Sequence, residues 1–133
     1  MSVFSWITLI LWIFIIAYGI YWLVSYFLRR NAANEISQED FAASMRQAQV
    51  VDVREPQEFR SAHILGARNV PYSQIHQAGA PGFNKRQPIY LYDDGALLAS
   101  RAARLLRKAG YDKSQLYILK GGMANWQGKV KRR

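Results

Sequence analysis

Two aspartates, Asp93 and Asp94, follow the apolar run Pro88–Tyr92 and precede Gly95-Ala96-Leu97-Leu98-Ala99. The carboxyl end of a buried strand is where open α/β sheets place their functional crevice. An acid there can accept hydrogen bonds, bind a cation or serve as a base. Asp52 and Arg54 also flank the end of an apolar run, Val50–Val53, and their charges suit an ion pair that pins neighbouring turns. The two histidines, His63 and His76, are too few and too dispersed for a metal site built on imidazole. There is no Cys in the 133 residues. This removes disulfides, thiolate catalysis, persulfide carriage, thiolate metal sites and iron–sulfur clusters. No metal or cofactor is expected.

The elements that would position these residues alternate between strand and helix. Ser37, with Asp40 three residues on, reads as a capping box opening a helix to about Gln47. Val50–Val53 is a buried strand, and Arg54–Ser61 a turn and short helix with Pro56 in its first turn. Ala67–Val70 is a short strand stopped by Pro71, Tyr72–Gln77 one or two helical turns, and Gln77–Gln87 a loop. Pro88–Tyr92 is the clearest strand. Ala96–Ala109 reads as an amphipathic helix, with Leu98, Ala102, Leu105, Leu106 and Ala109 inward and Arg101, Arg104, Arg107 and Lys108 outward. Gln115–Leu119 is the last core strand, Gly121-Gly122 a turn, and Met123–Trp126 a short helix. This alternation predicts an α/β domain with a mostly parallel sheet.

The charges are unevenly spread. Residues 1–28 hold none, so all 18 Lys and Arg, the 9 Asp and Glu and the net charge of +9 lie beyond them. Val3–Leu28 is long and apolar enough to cross a bilayer core of roughly 30 Å, with the span at about residues 4–27. It lacks the basic start and small-residue cleavage site of a secretory signal, and the remaining residues are too few to enclose it as a core helix. Arg29 and Arg30 close the segment, and the positive-inside rule then puts the N-terminus outside and the following domain in the cytoplasm. Tyr21, Trp22 and Tyr26 read as an interfacial aromatic belt. Residues 29–36 read as a short juxtamembrane linker. Residues 129–133 read as a basic tail, in which Lys129, Lys131, Arg132 and Arg133 are expected against anionic headgroups together with Arg29 and Arg30. Other membrane proteins are the further partners expected. Nucleic acid is disfavoured, because no aromatic residues interleave the basic ones for base stacking.

Several ordered segments resemble the rhodanese (sulfurtransferase) domain. They are Val51-Asp52-Val53-Arg54-Glu55, Glu58-Phe59, His63-Ile64-Leu65-Gly66-Ala67-Arg68-Asn69-Val70-Pro71, Gly110-Tyr111, Leu119-Lys120-Gly121-Gly122 and Trp126. Together they cover about residues 37–128, and the layout resembles bacterial single-domain members with one N-terminal membrane anchor. The resemblance implies structural roles for Asp52, Arg54, His63, Gly66, Gly121, Gly122 and Trp126. It also implies that active members carry a Cys at the end of the central strand, with loop amides converging on its sulfur. Counting back from Gly110-Tyr111, that position falls on Asp93, and the loop Asp93–Ala99 keeps its length.

The chemistry of that loop differs. A carboxylate cannot accept and pass on sulfane sulfur, and the loop offers no Lys or Arg to receive thiosulfate. The expected function is therefore a catalytically inactive, membrane-tethered binding, scaffold or regulatory module. The alternative is sulfur transfer of an unconventional kind, or with a partner's thiol. A haloacid-dehalogenase-like phosphatase would need two Asp residues with one between them and magnesium, whereas here they are adjacent. Asp93 is expected to accept the loop's amide donors as a built-in anion, and so to titrate below the ordinary Asp value of about 3.9.

Overall fold

The computed structural model describes residues 2–30, 33–79 and 82–132. It divides into two units, residues 1–31 and 32–133. The first is helix α1 (Val3–Arg30), of which Val3–Phe27 is long and apolar enough to cross a membrane and is not buried by protein. Beyond its first turn, the backbone amides of this span bond to carbonyls within the helix.

The second unit is built on a five-stranded parallel sheet. Its strands are β1 (Asn34–Ile36), β2 (Gln49–Asp52), β4 (Arg68–Asn69), β5 (Ile89–Tyr92) and β6 (Leu116–Leu119), in the order β1-β6-β5-β2-β4. Central β5 is buried at all four positions. Its side chains alternate between two cores: Ile89 and Leu91 join Val51, Val53 and Leu106 on one face, while Tyr90 and Tyr92 join Phe41, Ile64 and Leu119 on the other. A parallel strand covered on both faces needs this unbroken apolar run.

The helices follow local chemistry. Helix α2 (Gln38–Ser44) is capped by Ser37, whose side chain accepts from the Asp40 amide at 3.2 Å, and it runs on into a 3-10 turn to Gln47. Helix α3 (Pro56–Ser61) starts on Pro56, where the missing amide would have had no partner. Helix α4 (Tyr72–Ala78) and helix α5 (Leu97–Lys108) pack on the first core. The fully buried face of α5 is Ala99, Ala102, Ala103 and Leu106. Leu98 and Leu105 are half-buried and Ala109 is exposed, so the inward face is rotated toward the small residues from the face expected. Alanines let α5 approach the sheet closely, and the larger leucines fill its flanks. The helix also begins at Leu97, one residue after the expected start.

Four short strands depart from the expected layout. The predicted linker 29–36 does not stand apart from its neighbours: α1 runs to Arg30, and Asn34–Ile36 pairs in parallel with Tyr117–Leu119. The Asn34 side chain fastens this edge by donating to the carbonyls of Lys113 at 2.9 Å and Leu116 at 3.3 Å. The predicted basic tail is not free either. Strand β7 (Val130–Arg132) pairs antiparallel with β3 (Ala62–Ile64), and the Leu65 amide donates to the Lys129 carbonyl at 3.1 Å. Backbone pairing is indifferent to side-chain charge, so Lys131 and Arg132 enter a strand with their charged ends in water. Arg133 lies outside the described residues. The strand expected over Ala67–Val70 is reduced to Arg68–Asn69, since Val70 turns its amide to the Asp52 carbonyl as the chain leaves for Pro71.

Candidate functional site

The candidate site is the cluster at the carboxyl ends of β2, β5 and β6, where open α/β sheets place their crevice. After β2 the chain places Asp52 and Arg54, both buried, at 0% and 7% exposure. The Arg54 guanidinium donates through Nη2 to Asp52 Oδ2 at 2.8 Å and through Nε to both carboxylate oxygens at 3.1 Å. Its backbone amide adds a further bond to Asp52 Oδ1 at 2.9 Å. The same guanidinium reaches the Ala62 carbonyl at 2.6 Å and Asp94 Oδ1 at 3.3 Å. Burial alone would lower the Arg54 pKa, but the hydrogen bonds and charge of Asp52 outweigh it and raise it. One arginine therefore ties the β2 end, the start of β3 and the loop after β5 together. Tyr92 closes the back of this cluster. Its hydroxyl accepts the Ile64 amide at 3.0 Å, and burial, reinforced by the Asp52 charge, pushes its pKa up.

After β5 the chain turns through Asp93–Ala96 into α5. Asp93 is 7% exposed, and its Oδ2 accepts the Leu98 amide at 3.1 Å. The first-turn amides of a helix lack partners within it. Ala96, at the N-cap, offers no side-chain acceptor, so the carboxylate of Asp93 takes that part. The expectation that Asp93 accepts the loop donors agrees with this geometry. The expected low titration does not. Burial raises the Asp93 pKa, and the amides of Leu98, Ala99 and Gly95 counter this only in part, while the Asp94 charge adds to the rise. Oδ1 explains the imbalance: it is buried and has no hydrogen-bond partner.

Asp94 turns outward, its side chain 66% exposed and paired to Arg54. Glu58, from α3, approaches it, and burial followed by the Asp94 charge raises the Glu58 pKa. Sequence reasoning missed both Glu58 and Tyr92 as members of this cluster. Glu58 lies in the segment matched at the outset, yet no local spacing links α3 to a loop some forty residues away. Only the sheet order joins them.

The third wall follows β6. Gly122 has φ +61°, and a Cβ there would collide with the carbonyl oxygens of Gly95, Asp93 and Asp94. Glycine is needed because the crevice loop lies directly on its backbone. Two bonds seal the contact: the Met123 amide donates to the Asp93 carbonyl at 2.8 Å, and the Ala124 amide to the Asp94 carbonyl at 3.1 Å. Gly121 adjoins it, and Gly66 makes the tight turn between β3 and β4.

The other predicted positions stand outside the crevice. His63 stacks on Phe59 with centroids 3.7 Å apart, and its Nδ1 lies 2.8 Å from the Phe59 carbonyl. His76 is exposed on α4. Trp126 covers the second core edge-on to Phe41. Among the described residues no group of three or more His, Cys, Asp or Glu is placed to hold a metal ion. The crevice can offer carboxyl acceptors and one arginine already engaged by carboxylates. It holds no nucleophilic thiol.

The sequence profile of the rhodanese-like domain family matches residues 37–129. The chain is 43% identical over 115 residues to the uncharacterized protein YqhL of Bacillus subtilis, covering 86% of this chain and 89% of that one. A rhodanese-like domain from an Anabaena protein superposes with a TM-score of 0.66 at 25% identity, over 74% of this chain and 79% of that one. Thiosulfate sulfurtransferase from Pseudomonas aeruginosa gives 0.63 at 32% identity, over 74% of this chain and 20% of that one. A parallel sheet with a strand-end crevice and a family match across nearly the whole second unit lead to one conclusion: the chain belongs to the rhodanese-like domain family.

Proposed function

We propose that this is a rhodanese-like domain without sulfurtransferase activity, tethered by its N-terminal helix to the cytoplasmic face of a membrane. There it serves as a binding, scaffold or regulatory module for membrane-associated partners. The carrying observation is chemical. The chain has no Cys, and the side chain that meets the α5 amides is the carboxyl of Asp93. We place Asp93 at the position of the family's catalytic Cys. A carboxylate has no route to a persulfide, and Asp93, Asp94 and Glu58 give the crevice mouth a charge that repels thiosulfate. Anionic lipid headgroups are the first partner, since Arg29 and Arg30 end the apolar helix. Other membrane proteins are the second.

The test is cyanide-dependent thiocyanate formation from thiosulfate by the purified full chain. Turnover at the level of a denatured control supports the proposal, and robust turnover overturns it. Asp93→Cys alone should recover little, because Leu97 and Leu98 offer no cation for the donor. Orientation has its own test. With no native Cys, single cysteines at Ser2 and Gln127 can be labelled in intact cells by a reagent that cannot cross the membrane. Labelling at Ser2 but not Gln127 supports the orientation, and the reverse pattern contradicts it.

The match to a thiosulfate sulfurtransferase favours a second reading, sulfur transfer through a partner's thiol. Turnover that appears only when a thiol protein is added would select it.

A further inference from the structure

The layer formed by α4 and α5 contains no acid. No Asp or Glu occurs between Glu58 and Asp93, or between Asp94 and Asp112. Within this layer Arg101, Arg104 and Lys108 are spaced by three and four residues, which puts them on one side of α5. Arg101 and Lys108 are exposed and Arg104 is half-buried. With Tyr72 and Leu105 they line a cleft of about 200 Å³. Leu97, one turn before Arg101 on the same side, is 57% exposed, more than Leu65 at 48%, the other exposed leucine among the described residues of this unit. The nearby cations Arg68 and Lys85 lie over the rings of Phe83 and Tyr111, not against carboxylates.

We propose that the row Leu97, Arg101, Arg104 and Lys108 on α5 is a docking surface for anionic phospholipid. A row of cations ending in an exposed leucine matches a headgroup layer over an acyl boundary, where the charges meet phosphate and the leucine meets hydrocarbon. Each such cation strengthens attachment to an acidic surface by about fivefold. The row itself carries no aromatic residue, and Tyr72 beside it is half-buried and lies against His76, which disfavours base stacking and so a nucleic-acid surface. The basic strand β7 is a weaker candidate, because successive residues of a strand point to opposite sides. Lys131 and Arg132 cannot then face one plane. The proposal rests on the membrane tether above.

The experiment uses the full chain in nanodiscs of neutral phosphatidylcholine, or of phosphatidylcholine with phosphatidylglycerol. Incorporation into neutral discs tests the tether separately from the docking. The absence of native Cys allows a single nitroxide at Leu97→Cys or Lys131→Cys. In acidic discs the label at position 97 should become accessible to lipid-dissolved oxygen and lose access to a water-soluble relaxer. The label at 131 should stay in water. Arg101→Glu with Arg104→Glu and Lys108→Glu should return label 97 to water while the chain stays in the disc. A position-97 label that is aqueous in both disc types overturns the proposal, as does lipid contact at 131 alone. Charge-reversal loss of binding to an oligoribonucleotide, with label 97 aqueous throughout, assigns the face to nucleic acid and also overturns it.

Discussion

Arg54→Ala removes the cation that neutralises the fully buried Asp52. In the folded protein Asp52 is 0% exposed, and three of the hydrogen bonds to its carboxylate come from the Arg54 side chain, at 2.8 to 3.1 Å. The variant keeps the Arg54 amide bond to Asp52 Oδ1, but one amide dipole does not replace a guanidinium. Leaving a buried charge without its partner costs about 3–5 kcal/mol. The Ala62 carbonyl and Asp94 lose a donor as well. For a unit of this size each kcal/mol lowers Tm by about 4–8 °C, so a fall of well over 10 °C is expected in a thermal melt. Arg54→Met with Asp52→Leu, which removes both charges, should recover most of the loss. Urea titrations of the three proteins provide the measurement. A loss below about 1 kcal/mol for Arg54→Ala would refute the reasoning.

The raised Asp93 pKa means that this group's stabilising contribution is complete below the unfolded value near 3.9 and is lost as pH rises through the folded value. Asp93→Asn should therefore flatten the decline in stability above that range and be no less stable than the parent at pH 7, as read from denaturant midpoints. A steeper decline in the variant would contradict the burial argument. Gly122→Ala should destabilise by about 1–3 kcal/mol from backbone strain alone, with the collisions against the crevice carbonyls adding to it, and a neutral melt would show the loop to be free to move. Tyr92→Phe leaves the Ile64 amide unpaired in the second core and should cost about 1–3 kcal/mol, with amide exchange at Ile64 accelerated.

Much of this molecule was legible in its residues, for identifiable reasons. The strand β5 declared itself through four successive apolar positions, and α2 through the Ser37 cap. The resemblance marked Asp52 and Arg54 as structural residues and put the family's Cys position at Asp93. What stayed hidden depends on distant partners. Asn34–Ile36, Ala62–Ile64 and Val130–Arg132 are three residues each, too short to carry a period, and become strands only because a neighbour's backbone is there to pair. The reach of Arg54 to Asp94 crosses forty positions. For Asp93 the donors were foreseen and the direction of titration was not. Spacing reveals how many amides converge on a carboxyl, but not that its second oxygen is sealed away from both water and donors.

The most direct measurement is the intact mass of the purified full chain after incubation with thiosulfate, with and without reducing agent. An unchanged mass is predicted, since Asp93 offers the sulfane sulfur no nucleophile that can hold it. A gain of one sulfur atom, reversed by the reductant, would contradict a silent crevice.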